Sequence, residues 1–174
     1  MTESLPIRIL GVGNVLTRDD GLGPYVIRVL EAQYEFPEGV EVLDVGTPGL
    51  DFTPFLSDAL AVIVLDTVRS DAEPGTLRFY RDAEIVASPP PSRMNPHEPG
   101  LREALMATEL TDSSPREILL IGVVPETTEG GTKLSRPVAD AVPRVVEAVC
   151  NELDRLGRPA VLKDPAEVPD IWWE

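Results

Sequence analysis

Six side chains able to hold a cation or move a proton fall where the chain changes direction: Asp19, Asp20, Asp44, Asp66, His97 and Glu126. His97 is the only histidine and lies in the run NPHEPG. One imidazole among several carboxylates is a hard-to-borderline donor set, the kind that suits a divalent ion such as zinc or nickel. The single cysteine, Cys150, excludes a structural thiolate site. Carboxylates crowded on one rim repel one another, and a cation there relieves the repulsion. Each group also has a plainer role. Asp19 and Asp20 precede a helix and can cap its free N–H groups. Asp44 can brace the turn that follows it. A lone histidine in a proline-rich loop is ordinarily solvated. Asp66 resists such a reading, because an acid ending an apolar strand loses solvation unless something pairs with it. Cys150 sits on the apolar stripe of a helix and reads as packing.

The elements that must position these groups alternate between strand and helix. Residues 7–12 form a short apolar run, and a helix starts near Gly21 with Pro24 in its first turn. VEVLDV, 40–45, is a second strand that breaks at residues 46–49, with a short helix expected over 50–56. Residues 59–68, ALAVIVLDTV, are apolar on both faces, as in a central parallel strand. TLRFYR, 76–81, alternates and predicts an edge strand, antiparallel to its neighbour, while 117–124 is the last core strand. Between them, residues 87–95 are proline-rich and form a loop leading to His97 and a helix that turns Leu101, Ala104, Leu105 and Leu110 inward. The last helix opens with Ser135 as N-cap and ends at Gly157. One domain over 1–157 and an irregular extension over 158–174 follow, with Trp172 and Trp173 near its end. Such alternation gives an α/β fold with helices on both faces of an open sheet, and these sheets hold ligands at the carboxyl ends of their strands. The acids named above fall at those ends.

The 174-residue chain carries fifteen Lys and Arg against thirty Asp and Glu, a net charge of −15 that disfavours nucleic acid and anionic membranes. It has no run near the roughly twenty apolar residues of a membrane span, and no basic leader, so the cytoplasm is the expected compartment. Nucleotide fingerprints are incomplete: the first glycine loop lacks a third glycine, its acids would oppose a phosphate, and no phosphate-loop lysine follows. No nucleophile-elbow serine occurs.

In order and spacing, GVGNVLTRDDGLG (11–23), LDVGTPGL (43–50), VIVLDTV (62–68), PGTLRFYRD (74–82), NPHEPGL (95–101) and IGVVPETTEGGTKLS (121–135) resemble the nickel-iron hydrogenase maturation proteases. The resemblance reaches to about Gly157. It implies a three-layer fold with a twisted, mostly parallel five-stranded sheet. It also implies an endopeptidase that removes a C-terminal extension from a hydrogenase large-subunit precursor after nickel insertion. The family's metal-contacting positions fall on Asp20, Asp66 and His97, with nickel carried by the substrate and zinc or another divalent cation able to occupy the same site. Position 20 is commonly Glu in the family, which leaves Asp19 as a competitor. Asp44 is the candidate for activating water or orienting the peptide, and Gly46, Thr47 and Gly49 for docking it. Val45 stands where the family usually has glycine, so the turn is expected to differ. The rival readings are a non-cleaving, nickel-dependent assembly chaperone for the same subunit, which weighing the product would exclude, and a flavodoxin-like cofactor carrier.

Overall fold

The computed structural model describes residues 5–48, 52–87 and 100–174. Strands are β1 (Ile7–Val12), β2 (Tyr34–Glu35), β3 (Val40–Gly46), β4 (Ala61–Thr67), β5 (Leu77–Arg81), β6 (Glu117–Val123) and β7 (Val161–Leu162). Helices are α1 (Leu22–Gln33), α2 (Thr53–Leu56), α3 (Ala83–Ala87), α4 (Leu101–Leu110) and α5 (Arg136–Arg155), with a 3-10 turn at Arg18–Gly21. Five strands make one sheet in the order β3-β1-β4-β6-β5. All pair in parallel except the edge strand β5, which runs antiparallel to β6. β4 sits in the middle and is buried along its whole length, the environment its continuous apolar run requires.

Alternation along the strands divides the core in two. Ile7 and Ile9 of β1 with Ile63 and Leu65 of β4 pack against α1 and α5. Leu10, Val62, Val64 and Leu120 face the opposite way, toward α2, α3 and α4. The result is a three-layer α/β sandwich. The glycines of the first loop serve this packing. A Cβ on Gly23 would stand 2.3 Å from the Val12 carbonyl oxygen, and one on Gly11 would stand 2.6 Å from the Gly23 carbonyl oxygen. Helix and strand backbones thus touch directly, and that contact fixes where the first turn of α1 meets the end of β1.

α4 ends beside the start of β4: Asp58 N–H donates to the Ser113 carbonyl at 2.9 Å, and the Ser113 hydroxyl to Ser57 Oγ at 3.2 Å. The helix therefore runs against the parallel strands, and its first turn lies toward their carboxyl ends. Ala104 and Leu105 of α4 are buried as expected, but Leu110 is 88% exposed: fully buried Thr108 takes the inward position of the last turn, and Leu110, two residues on, is turned about 200° from it. The helix expected over 50–56 is α2, beginning at Thr53. After α5 the chain is not wholly irregular. β7 pairs antiparallel with β2, and Lys163 and Glu167 donate backbone N–H groups to Gln33 and Ala32. Trp173 is buried, while Trp172 is exposed. Among the described residues no helix is long and apolar enough to cross a membrane.

Candidate functional site

β1 and β4 are neighbours, so the loop leaving β1 and the end of β4 meet at the carboxyl rim. Asp20 closes the 3-10 turn of that loop. Its Oδ2 accepts the Asn14 N–H at 2.9 Å and the Thr17 hydroxyl at 3.4 Å, and its Oδ1 accepts the Thr67 hydroxyl at 3.4 Å. Asp66 is the residue before Thr67, only 7% exposed, and its Oδ1 accepts the Thr67 N–H at 2.8 Å. Strand alternation sends Asp66 to the face of Val62 and Val64, where α4 packs, and Thr67 to the face of α1. The two acids thus straddle the end of β4, with Thr67 between them. Thr67 carries no local signal of this role beyond its place next to Asp66.

Asp19 does something else. It has no exposed surface and accepts four hydrogen bonds. Oδ1 takes the Ser135 N–H at 2.6 Å; Oδ2 takes the Glu126 N–H at 2.8 Å, the Thr127 N–H at 3.0 Å and the Ser135 hydroxyl at 2.8 Å. Asp19 therefore ties the first loop to the loop after β6 and to the start of α5. The tie is reinforced by Arg18 N–H to the Gly131 carbonyl at 2.8 Å and Gly131 N–H to the Leu16 carbonyl at 2.9 Å. Ser135 occupies the N-cap position of α5, but its side chain makes no capping bond; its hydroxyl donates to Asp19. Glu126 itself is exposed and enters this arrangement only through its backbone.

Asp44 is exposed on the outer strand β3, and its Oδ1 accepts the Gly46 N–H at 3.1 Å, bracing its own turn. It pairs with Gly11, which pairs with Leu65, so two strand spacings of about 5 Å separate Asp44 from the β4 end. Its side of the sheet is that of Val40 and Val42, the α1 face. The turn places its left-handed residue at Gly46, φ +56°, rather than at Val45, and the Gly46 carbonyl accepts the Gly13 N–H at 2.8 Å. Thr47 is exposed beside it. Gly49 and His97 lie outside the described residues. Among the described residues no three His, Cys, Asp or Glu side chains gather as a metal site. Of the five rim acids, Asp20 and Asp66 both accept hydrogen bonds from Thr67, Asp19 is turned inward, and Asp44 and Glu126 stand apart from that pair.

The chain matches the hydrogenase maturation protease family model over residues 24–152. It is 32% identical over 159 residues to the hydrogenase 2 maturation protease of Escherichia coli, covering 91% of this chain and 96% of that one. It is 35% identical to the hydrogenase expression/formation protein HoxM of Azotobacter vinelandii, covering 91% and 77%. The hydrogenase maturating endopeptidase HybD from Escherichia coli superposes with a TM-score of 0.85 at 30% identity, over 93% of this chain and all of that one. A HybD maturation protease from Thermococcus kodakarensis superposes at 0.65 with 25% identity, over 86% and 99%. With the family-model match, these relatives and the shared three-layer fold around a five-stranded sheet, this protein belongs to the hydrogenase maturation protease family, hydrolases that cut peptide bonds.

Proposed function

We propose that this chain removes the C-terminal extension of a nickel-iron hydrogenase large-subunit precursor once nickel is in place. Asp20, Asp66 and His97 contact the metal that the substrate carries. The observation that supports this most is the meeting of Asp20 and Asp66 on either side of Thr67, two acids from distant stretches held by hydrogen bonds at one strand end. A pair of carboxylates joined by an imidazole fits nickel chemically, and a nearly buried Asp66 gains from a cation opposite it. His97 stands three residues before Gly100, a reach of about 10 Å, and the first turn of α4 points to the same rim.

Nickel supplies a fixed positive charge that seats the precursor on the rim only after the metal has been loaded. The chain's own groups do the rest. Asp20 and Asp66 orient the substrate through that charge, and the Asp19 tie keeps the Asp20 loop from shifting. The turn at Gly46, Thr47 and Gly49 docks the peptide beside Asp44. With Oδ1 held by Gly46, Asp44 takes a proton at Oδ2 from the water that attacks the scissile carbonyl and passes it to the amine nitrogen as the C–N bond breaks. The test is mass measurement of nickel-loaded and nickel-free precursor after incubation with the protein. Only the loaded form is expected to lose its tail, and Asp20→Ala, Asp66→Ala and His97→Ala are each expected to leave it intact while remaining folded. Cleavage of both forms alike, or normal cleavage by all three variants, refutes the assignment; an intact loaded precursor held by the wild type makes the protein a chaperone.

A further inference from the structure

Among the described residues no strand pairs with the outer edge of β5. Thr76 and Asp82, flanking β5, are bonded to Val124 and Ile118 beside β6, and alternation along an antiparallel pair assigns Arg78 and Tyr80 to the same ladder. The backbone N–H and C=O groups of Leu77, Phe79 and Arg81 therefore point outward. The Arg81 N–H is taken by the Glu84 carboxylate at 2.9 Å, and α3 follows at that end. Leu77 and Phe79 offer theirs to whatever lies alongside, since no other described strand pairs there. Exposed edges of this kind recruit extended chains unless something blunts them. Phe79 is also 52% exposed, and no other large apolar residue of the five-stranded sheet is. It lines an open groove of about 700 Å³ together with Arg69, Ser70, Asp71, Arg78 and Tyr80.

The groove is continuous with the proposed cleavage rim. Arg69 comes three residues after Asp66, and Leu77 pairs with Val123, the last residue of β6. Asp66, Gly122 and Arg78 stand in one row across β4, β6 and β5. Two strand spacings of about 5 Å separate Asp66 from Arg78 and two more separate the end of β4 from Asp44, so a strand added outside β5 lies about 25 Å from the Asp44 water, a span of about seven extended residues. Arg78 donates to Ser70 Oγ at 3.3 Å and makes no ion pair with a described residue, although the chain holds twice as many acids as bases. The other edge, β3, exposes only acids, Glu41 and Asp44.

We propose that β5 takes the substrate as an added strand: an extended segment of the precursor, about seven or more residues from the scissile bond, bonded to the Leu77 and Phe79 backbones. An apolar residue of that segment covers Phe79, and the adjacent position, facing Arg78, is acidic. The idea rests on the proteolytic reading above and specifies how that activity grips its substrate.

Contacts this far from the chemistry hold substrate and transition state equally, so they set KM rather than kcat. Phe79→Pro deletes the outward N–H without touching the β6 ladder, and Phe79→Thr keeps the N–H while removing the ring. With nickel-loaded cognate precursor, Phe79→Pro is expected to raise KM about tenfold or more at unchanged kcat, the size of one lost hydrogen bond. Phe79→Thr is expected to raise it less, and Arg78→Glu to raise it in a salt-dependent way. A KM for Phe79→Pro within about twofold of wild type overturns the added strand while leaving the protease reading in place; a wild type that does not shorten the precursor overturns that reading instead. Should Phe79→Pro fail to fold, hydrogen exchange of the wild-type Leu77 and Phe79 amides decides. Precursor in excess is expected to slow both about tenfold, and unchanged exchange refutes the proposal.

Discussion

Replacing Asp19 by alanine separates the architectural acid of the first loop from its functional neighbour. The substitution strands three backbone N–H groups, of Glu126, Thr127 and Ser135, together with the Ser135 hydroxyl, all bonded to the carboxylate at 2.6–3.0 Å. A buried donor left unpaired costs about 1–3 kcal/mol, and bonds to a charged acceptor stand at the upper end of the range. Allowing water to enter the vacated volume and satisfy part of the set, the loss is about 4–6 kcal/mol, comparable with the whole stability of many domains. Asp20→Asn retains an acceptor for Asn14 and faces partners at 3.4 Å that are long for hydroxyl bonds, so it should cost no more than about 2 kcal/mol. Urea unfolding followed by circular dichroism measures both. The expected pattern is a large fall in midpoint for Asp19→Ala and a small one for Asp20→Asn, with processing lost in the second despite an intact fold. If Asp19→Ala unfolds within about 1 kcal/mol of wild type and yet abolishes processing, the assignment of the two acids is reversed.

Two further expectations concern the scaffold. Glu152 on α5 is buried and receives two bonds from the Arg81 guanidinium at 2.9 and 2.7 Å, with Arg155 adding more and itself reaching Glu117. The Arg81 bonds, first, hold the Glu152 carboxyl down to about 2 from its usual 4.5. A depressed acid stabilises the fold fully above its unfolded value and loses that contribution as pH falls toward its folded one. About 3 kcal/mol should therefore disappear between pH 4.5 and 2, and urea midpoints of Glu152→Gln should show a flatter acid limb than wild type; parallel limbs would remove this pair from the account. Gly23→Ala is expected to cost about 1–3 kcal/mol, because its methyl meets the Val12 and Leu65 backbones at 2.3–2.6 Å; an unchanged melting temperature would mean that α1 is free to move off the sheet.

The order of strands and helices was legible because each carries its own periodicity: β4 is apolar on both faces and β5 alternates. The antiparallel sense of β5 followed from that alternation, and the observed pairing agrees. β2 and β7 were not legible, since two-residue strands hold no period and exist only because the chain after α5 folds back on Gln33. Asp19 was readable as a helix-capping acid, but the helix it serves is α5, 116 positions away, rather than α1. No local pattern encodes a partner so remote. The same contact explains why Ser135 looks like a cap in sequence and behaves as a donor in the fold. Asp44 carried two readings, and the turn-bracing one is present in the Gly46 bond. His97 and Gly49 lie outside the described residues, so their roles rest on the family resemblance and on chain reach.

Both tryptophans of the chain sit at positions 172 and 173, edge to face with ring centres 5.4 Å apart, one ring wet and the other tucked against the body. Intrinsic fluorescence of this protein is therefore an optical gauge of whether its last residues stay docked, with no tryptophan reporting from the sheet. An emission red-shift at low denaturant would mark release of the tail, and a dichroism trace coinciding with it would mean that tail and sheet come apart as a single cooperative unit.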